Sequence, residues 1–147
     1  MVKKKERYDL LLRFFHPSLD PRVISDLLKL KPRRSWKAGD QAEGVNGELL
    51  KFKHKDSYWS YSISRDDRIF SEEINKTLEM LSPHKKFLSR FTKQGGRINL
   101  YLQLPGDTNV GSRLNSDIIA KMANLRVEFD IEVFPNFPVR KKQNRRK

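Results

Sequence analysis

Val127-Glu128-Phe129-Asp130-Ile131-Glu132-Val133 alternates apolar and acidic residues without a break. Successive side chains of a β-strand point to opposite faces, so this segment reads as a strand with one apolar and one charged side. Strands of this kind build a sheet that is covered on one face and wet on the other, which gathers the helices on a single side. That pattern predicts an α+β fold and argues against a parallel sheet wound on both faces.

Working back towards the N-terminus, Ile118, Ile119, Met122 and Leu125 recur at helical spacing. Before them, Ile98, Leu100, Leu102 and Leu104 alternate with Asn99, Tyr101 and Gln103, a second half-buried strand. Ser71 reads as the cap of a helix carrying Ile74, Leu78 and Leu81, with Glu72 and Glu73 near its positive end. Ser82-Pro83 starts a further helical piece with Phe87, Leu88 and Phe91, which Gly95-Gly96 stops. At the front, Leu10 to Phe15 form an apolar run of strand length. Asp20-Pro21 then opens a helix over residues 20–30 with Val23, Ile24, Leu27 and Leu28 inside.

Residues 32–47 are rich in turn formers and read as a loop holding Trp36. After it, Leu50 and Phe52 alternate with Lys51, Lys53 and Lys55. Asp56-Ser57 makes a turn, and Trp59, Tyr61 and Ile63 return on one face, which predicts a β-hairpin. The order is β-α-β-β-α-β-α-β: about five strands in a mixed or antiparallel sheet with helices on one face. Residues 19–30 align without a gap on residues 114–125, each segment following a strand, and this suggests a doubled ferredoxin-like β-α-β unit. The expected core is Leu10, Leu12, Phe14, Phe52, Leu100, Leu102, Phe129 and Ile131, packed against Val23, Ile24, Leu27, Ile118, Ile119 and Met122.

A chain of 147 residues suits one domain. The absence of cysteine removes disulfides, thiolate catalysis and cysteine-ligated metals. No apolar run reaches the length of a membrane span, and the start lacks the apolar stretch of a secretory signal, so we expect a cytoplasmic protein without membrane contact. Of the net charge of +13, residues 1–7 carry +3 and residues 138–147 carry +6, which leaves +4 for residues 8–137. The chain divides accordingly into a basic arm (1–7), one α+β domain (8–137) and a basic tail (138–147).

Three constellations bear on chemistry. The loop Gly106 to Arg113 lies where phosphate loops lie but lacks the Lys-Ser/Thr pair that neutralises phosphate and holds magnesium, so it reads as a connector. Glu128, Asp130 and Glu132 share one strand face and could bind a hard cation or do acid–base work. The competing reading is pairing with Lys51, Lys53, Lys55 and Arg13 across the sheet. His16, His54 and His84 are scattered and mark no metal or nucleophile motif. Trp36 sits among Arg33, Arg34 and Lys37 and could serve as a contact residue, whereas core sealing is the expected role of both Trp36 and Trp59.

From Tyr8 to Val133 the chain resembles the bacterial family catalogued only as domain of unknown function 4279. The likeness is carried by Leu19-Asp20-Pro21 with its Val23-Ile24…Leu27 helix, by Pro32-Arg33-Arg34-Ser35-Trp36-Lys37-Ala38-Gly39-Asp40, by Trp59, by Ile118-Ile119 and by the strand Val127 to Ile131. The resemblance implies a compact bacterial or phage α+β domain and brings no catalytic residues or cofactors. It also implies a framework role for Trp36.

The expectation is thus a non-enzymatic domain that recognises an anionic partner, foremost an acidic protein in the manner of immunity or inhibitor proteins, an analogy at fold level. A nucleic-acid-associated protein and a hydrolase using the strand carboxylates are the alternatives. The candidate partner-binding residues are Arg33, Arg34, Trp36, Lys37, Arg140, Lys141, Lys142, Arg145, Arg146 and Lys147, with no catalytic residue, metal or cofactor. Deleting residues 139–147 is expected to leave the thermal midpoint unchanged, because a solvated basic run makes few packed contacts. A fall in the midpoint by calorimetry would place the tail in the fold.

Overall fold

The computed structural model describes residues 7–63 and 69–135. They run β1 (Asp9–His16), α1 (Arg22–Leu28), β2 (Arg34–Trp36), β3 (Gln41–Glu43), β4 (Leu49–Lys53), β5 (Ser57–Ser62), α2 (Phe70–Leu81), α3 (Lys85–Lys93), β6 (Arg97–Pro105), α4 (Ser116–Asn124) and β7 (Val127–Phe134). A short 3-10 turn, Ser82–His84, joins α2 to α3. Five strands form one sheet in the order β2-β5-β1-β6-β7, and β3 and β4 form a separate two-stranded arm.

β1 is the central strand, antiparallel to β5 on one side and to β6 on the other. Its pleat sends Leu10, Leu12, Phe14 and His16 to one face. There Phe14 stands between Trp59 and Ile98, and Leu12 between Tyr61 and Leu100. These residues join Ile24, Ile74, Leu78, Leu88, Phe91, Ile118 and Met122 from all four helices in one buried cluster. Phe14 meets Trp59 and Phe91 edge-on, both at 5.4 Å between centroids, the arrangement ring quadrupoles favour. The indole N–H of Trp59 donates to Ser25 Oγ at 2.9 Å, which ties α1 to the sheet and satisfies the buried donor. His16 is buried at the same layer: its Nδ1 accepts the amides of Ser18 and Leu19, which puts its proton on Nε2, facing Gln94 Oε1 at 3.1 Å.

The α+β class, the five-stranded mixed sheet and the helical covering of one face agree with the sequence pattern. Several details differ. Residues 32–47 are not one loop, since β2 is the sheet edge against β5 and β3 belongs to the arm. The expected hairpin of β4 with β5 does not form; β4 pairs with β3, and β5 returns to the main sheet. The tight turn is at Gly44–Glu48, where Gly47 (φ +82) supplies the left-handed conformation. α2 begins at Phe70 with Ile69 as its cap, and the Ser71 hydroxyl lies 2.6 Å from that of Ser112. Among the described residues there is one parallel β-α-β unit, β6-α4-β7, because both neighbours of β1 run antiparallel to it.

Four residues expected in the core are exposed. Phe52 (57%) stands on the arm and meets His54 edge-on at 6.0 Å between centroids, outside the buried cluster. Val23 (40%) and Ile119 (54%) sit on the shoulders of helices whose inward stripes are narrower than their apolar content. Ile131 (57%) has the expected register opposite Leu102, yet β7 runs past the helix layer, which covers Val127 and half of Phe129.

α1 and α4 both end on a left-handed residue that is not glycine: Lys29 (φ 55) and Arg126 (φ 62). An L side chain in that region costs about 1–2 kcal/mol, and glycine is the usual solution there. Lys29→Gly and Arg126→Gly are each expected to raise stability by roughly 0.5–1 kcal/mol in urea unfolding, the relief of strain outweighing glycine's entropy in the unfolded chain. Loss of stability in both variants would show that the long side chains contribute contacts worth more than the strain.

Candidate functional site

The second face of the sheet has no helix layer among the described residues. The pleat of β1 that buries Phe14 turns Arg13 and Phe15 to this side. Register then assembles a row across four strands, Trp36–Tyr58–Phe15–Arg97, and a second row, Arg34–Ser60–Arg13–Asn99–Glu128. A third, Leu11–Tyr101–Asp130, follows along the strand direction.

The first row is a continuous stack. His54 lies flat on Trp36, 4.0 Å between centroids and 10° between planes, and Tyr58 covers the other side of the indole at 4.7 Å. Phe15 tilts against Tyr58 at 5.2 Å, and the Arg97 guanidinium sits 4.8 Å from the Phe15 ring. What brings His54 there is a turn. Lys37 N–H donates to Asp40 Oδ2 at 2.9 Å, Gly39 adopts φ +92, the Gly39 amide donates to His54 O at 2.8 Å, and the His54 amide donates to Asp40 O at 2.9 Å. The Ala38 amide donates to Ser57 Oγ, pinning the turn to β5. The sequence Ser35-Trp36-Lys37-Ala38-Gly39-Asp40 is therefore one device: a sheet-edge strand, an aromatic on the open face, and a glycine turn that folds a second ring over it.

The second and third rows form a polar network. Arg13 Nε donates to Asn99 Oδ1 at 3.0 Å, Asn99 Nδ2 to Asp130 Oδ2 at 2.6 Å, and Arg13 Nη2 reaches the same carboxylate at 3.3 Å. The Arg13 guanidinium also lies 4.0 Å from the Tyr101 ring centroid, an attraction worth about 0.5–1 kcal/mol where solvent is near. The Tyr101 hydroxyl donates to Glu132 and accepts from Gln103 Nε2. Burial and then the bond to Glu132 push the Tyr101 phenol above its ordinary value of 10.0, with Gln103 and Arg13 opposing.

The sequence-derived candidates separate on this geometry. Arg34 and Trp36 lie on the open face, while Arg33 and Lys37 flank them with exposed side chains. Arg140, Lys141, Lys142, Arg145, Arg146 and Lys147 lie outside the described residues. Core sealing holds for Trp59, which is fully buried, but not for Trp36, which is half-buried in the stack. Of the four cations expected opposite the acidic strand, only Arg13 is there; Lys51 and Lys53 stand on the arm and Lys55 just after it. Reading the sequence alone missed Phe15, His54 and Arg97: Phe15 and Arg97 take their place from the pairing of β1 with β5 and β6, and His54 from the Gly39 turn.

Among the described residues no group of three His, Cys, Asp or Glu side chains is placed to hold a metal ion, and no helix is long and apolar enough to cross a membrane. The Gly106 loop packs against the end of β7, its amide bonded to Phe134 O at 2.7 Å, as a connector would. A cleft of about 310 Å³ lined by Ser71, Asn75, Arg113 and Lys121 lies away from this face, whereas one of about 360 Å³ beside the starts of β6 and β7 reaches Arg97 and Glu128.

A model of the family described as Domain of unknown function (DUF4279) matches residues 6–135. No curated protein and no solved structure matches the chain.

The Tyr101 network makes a pH prediction. A phenol whose charged form is disfavoured by burial and by a neighbouring carboxylate titrates late. In ultraviolet titration, Glu132→Gln is expected to move one tyrosine transition down towards 10.0 while leaving it above that value. An unchanged curve would show that the carboxylate does not sense the phenol.

Proposed function

The chain belongs to the DUF4279 family, whose description assigns no activity, and we propose that it is a binding domain that recognises an acidic protein partner through the open face of its sheet. One observation carries this reading. The rings of the open face cover one another or are covered by guanidinium groups: Trp36 by His54 and Tyr58, Phe15 by Tyr58 and Arg97 in the first row, and Tyr101 by Arg13 in the third.

A single-stranded nucleic acid bound by stacking needs free ring faces on which to lay its bases. Here the row presents ring edges and cations instead. Tryptophan, tyrosine and arginine are the residues that dominate binding energy between proteins, above all where packing already fixes their rotamers. Arg34 and Arg97 flank the row on the open face, and Arg33 and Lys37 extend the positive rim past the sheet edge. Such a rim steers an acidic surface into register and excludes basic ones. The Lys37-Ala38-Gly39-Asp40 turn is then the framework that keeps the site assembled when no partner is bound. Asp130 and Glu132 are tied to Arg13, Asn99 and Tyr101, so these two carboxylates support the network rather than competing for the partner's cations.

The test is affinity capture on the full chain from lysate of its source cell after nuclease treatment. Wild type is expected to retain a specific acidic polypeptide, Arg34→Glu with Arg97→Glu to release it, and Trp36→Ala to weaken it by about 2 kcal/mol or more, as a central hot spot does. Retention unchanged by the arginine reversals, or abolished by nuclease, would overturn the reading; the latter outcome would favour nucleic acid.

A further inference from the structure

The arm and the far edge of the sheet share an unusual property. Seven large apolar residues are exposed among the described residues, and five of them fall on these two elements: Val45, Leu49 and Phe52 on the arm, Ile131 and Val133 on β7. Each element also has an open edge. Among the described residues β7 is the last strand of the sheet, bonded only to β6, and β4 is bonded only to β3. Proteins protect edge strands by keeping them short, bulged or studded with lysine and proline. β7 is eight residues long, with none of those residues within it.

We propose that copies of this chain associate head to tail, β4 of one copy adding to the free edge of β7 in the next. Charge decides the pairing. Two β7 strands side by side would set Glu128, Asp130 and Glu132 against their own equivalents, and two β4 strands would do the same with Lys51 and Lys53; like charges on adjacent strands repel. The mixed pair sets lysine against carboxylate. Its apolar sides match as well, because Phe52 lies between Lys51 and Lys53 as Ile131 lies between Asp130 and Glu132. Adding strand to strand supplies main-chain hydrogen bonds, and the alternate side chains set the specificity. The arm leaves the sheet beside β2, at the edge opposite β7. The contact is therefore heterologous, and it makes a ring or an open series of copies rather than a two-fold dimer. This inference stands apart from the acidic-partner reading, since it leaves Arg34, Trp36 and Arg97 untouched.

Sedimentation velocity on the full chain tests it. Wild type is expected to show a mass that rises with concentration above the 17.4 kDa of one chain and falls with added salt. An arm variant, Leu49→Glu with Phe52→Glu, and an edge variant, Ile131→Lys with Val133→Lys, should each stay at the single-chain mass. All four positions are more than half exposed, so the far-ultraviolet spectrum should not change. Mixed together, the two variants retain one intact β7 and one intact arm and should form a 1:1 pair. Lys51→Glu with Lys53→Glu repeats the arm test on charge alone. A wild-type mass that never rises, as when another part of the chain covers β7, overturns the proposal. So does self-association of either variant, or a mixture that fails to pair.

Discussion

The hydrogen-bond register of β1 between β5 and β6 is the constraint from which the rest follows. It places Phe14 between Trp59 and Ile98 on the covered side, and in the same stroke Phe15 between Tyr58 and Arg97 on the open side. A slip of one residue would exchange the two faces, burying Arg13 and exposing Leu12 and Phe14. The price of that error is a buried guanidinium and an exposed core, so a single register is strongly specified. Core and candidate site are two readings of one strand pairing, and neither can drift without the other.

On the open side, order comes from interactions among the site's own groups. Each ring rests on another ring or on a guanidinium, and Arg13 is held at once by Asn99, Asp130 and Tyr101. Exposed ion pairs alone contribute little, roughly 0–1 kcal/mol. Their effect here is to fix side-chain geometry, which would lower the ordering cost of the proposed association. The Gly39 turn does the same for His54 through the backbone. The shortness of β2, three residues, is offset by this turn and by the stack it supports.

Much of this architecture was legible in the sequence, for reasons that also explain the failures. β6 and β7 alternate over many residues, and α2 and α4 carry clear apolar stripes, so local periodicity was enough for them. β2 and β3, three residues each, hold only one and a half repeats of the pleat and are defined by non-local pairing. Asn46-Gly47, the strongest local hairpin signal in the chain, marked the arm's true turn, whereas Asp56-Ser57 joins strands of different sheets. Alternation in β7 gave the side on which Ile131 points and nothing about whether a helix reaches that far. Trp36 looked like a core residue by composition and proved a stacked one by geometry, while the surrounding Ser-Trp-Lys-x-Gly-Asp order already contained its turn.

The proposed recognition surface is the sheet face opposite the helices. Hydrogen exchange measured by mass spectrometry on the full chain, alone and with the captured polypeptide, addresses it most directly. Slowed exchange is expected in β2, in the Lys37–Asp40 turn and in the strand β5 beside them, with α2 and α4 unchanged. Slowed exchange confined to α2, α4 and the cleft between them would contradict it.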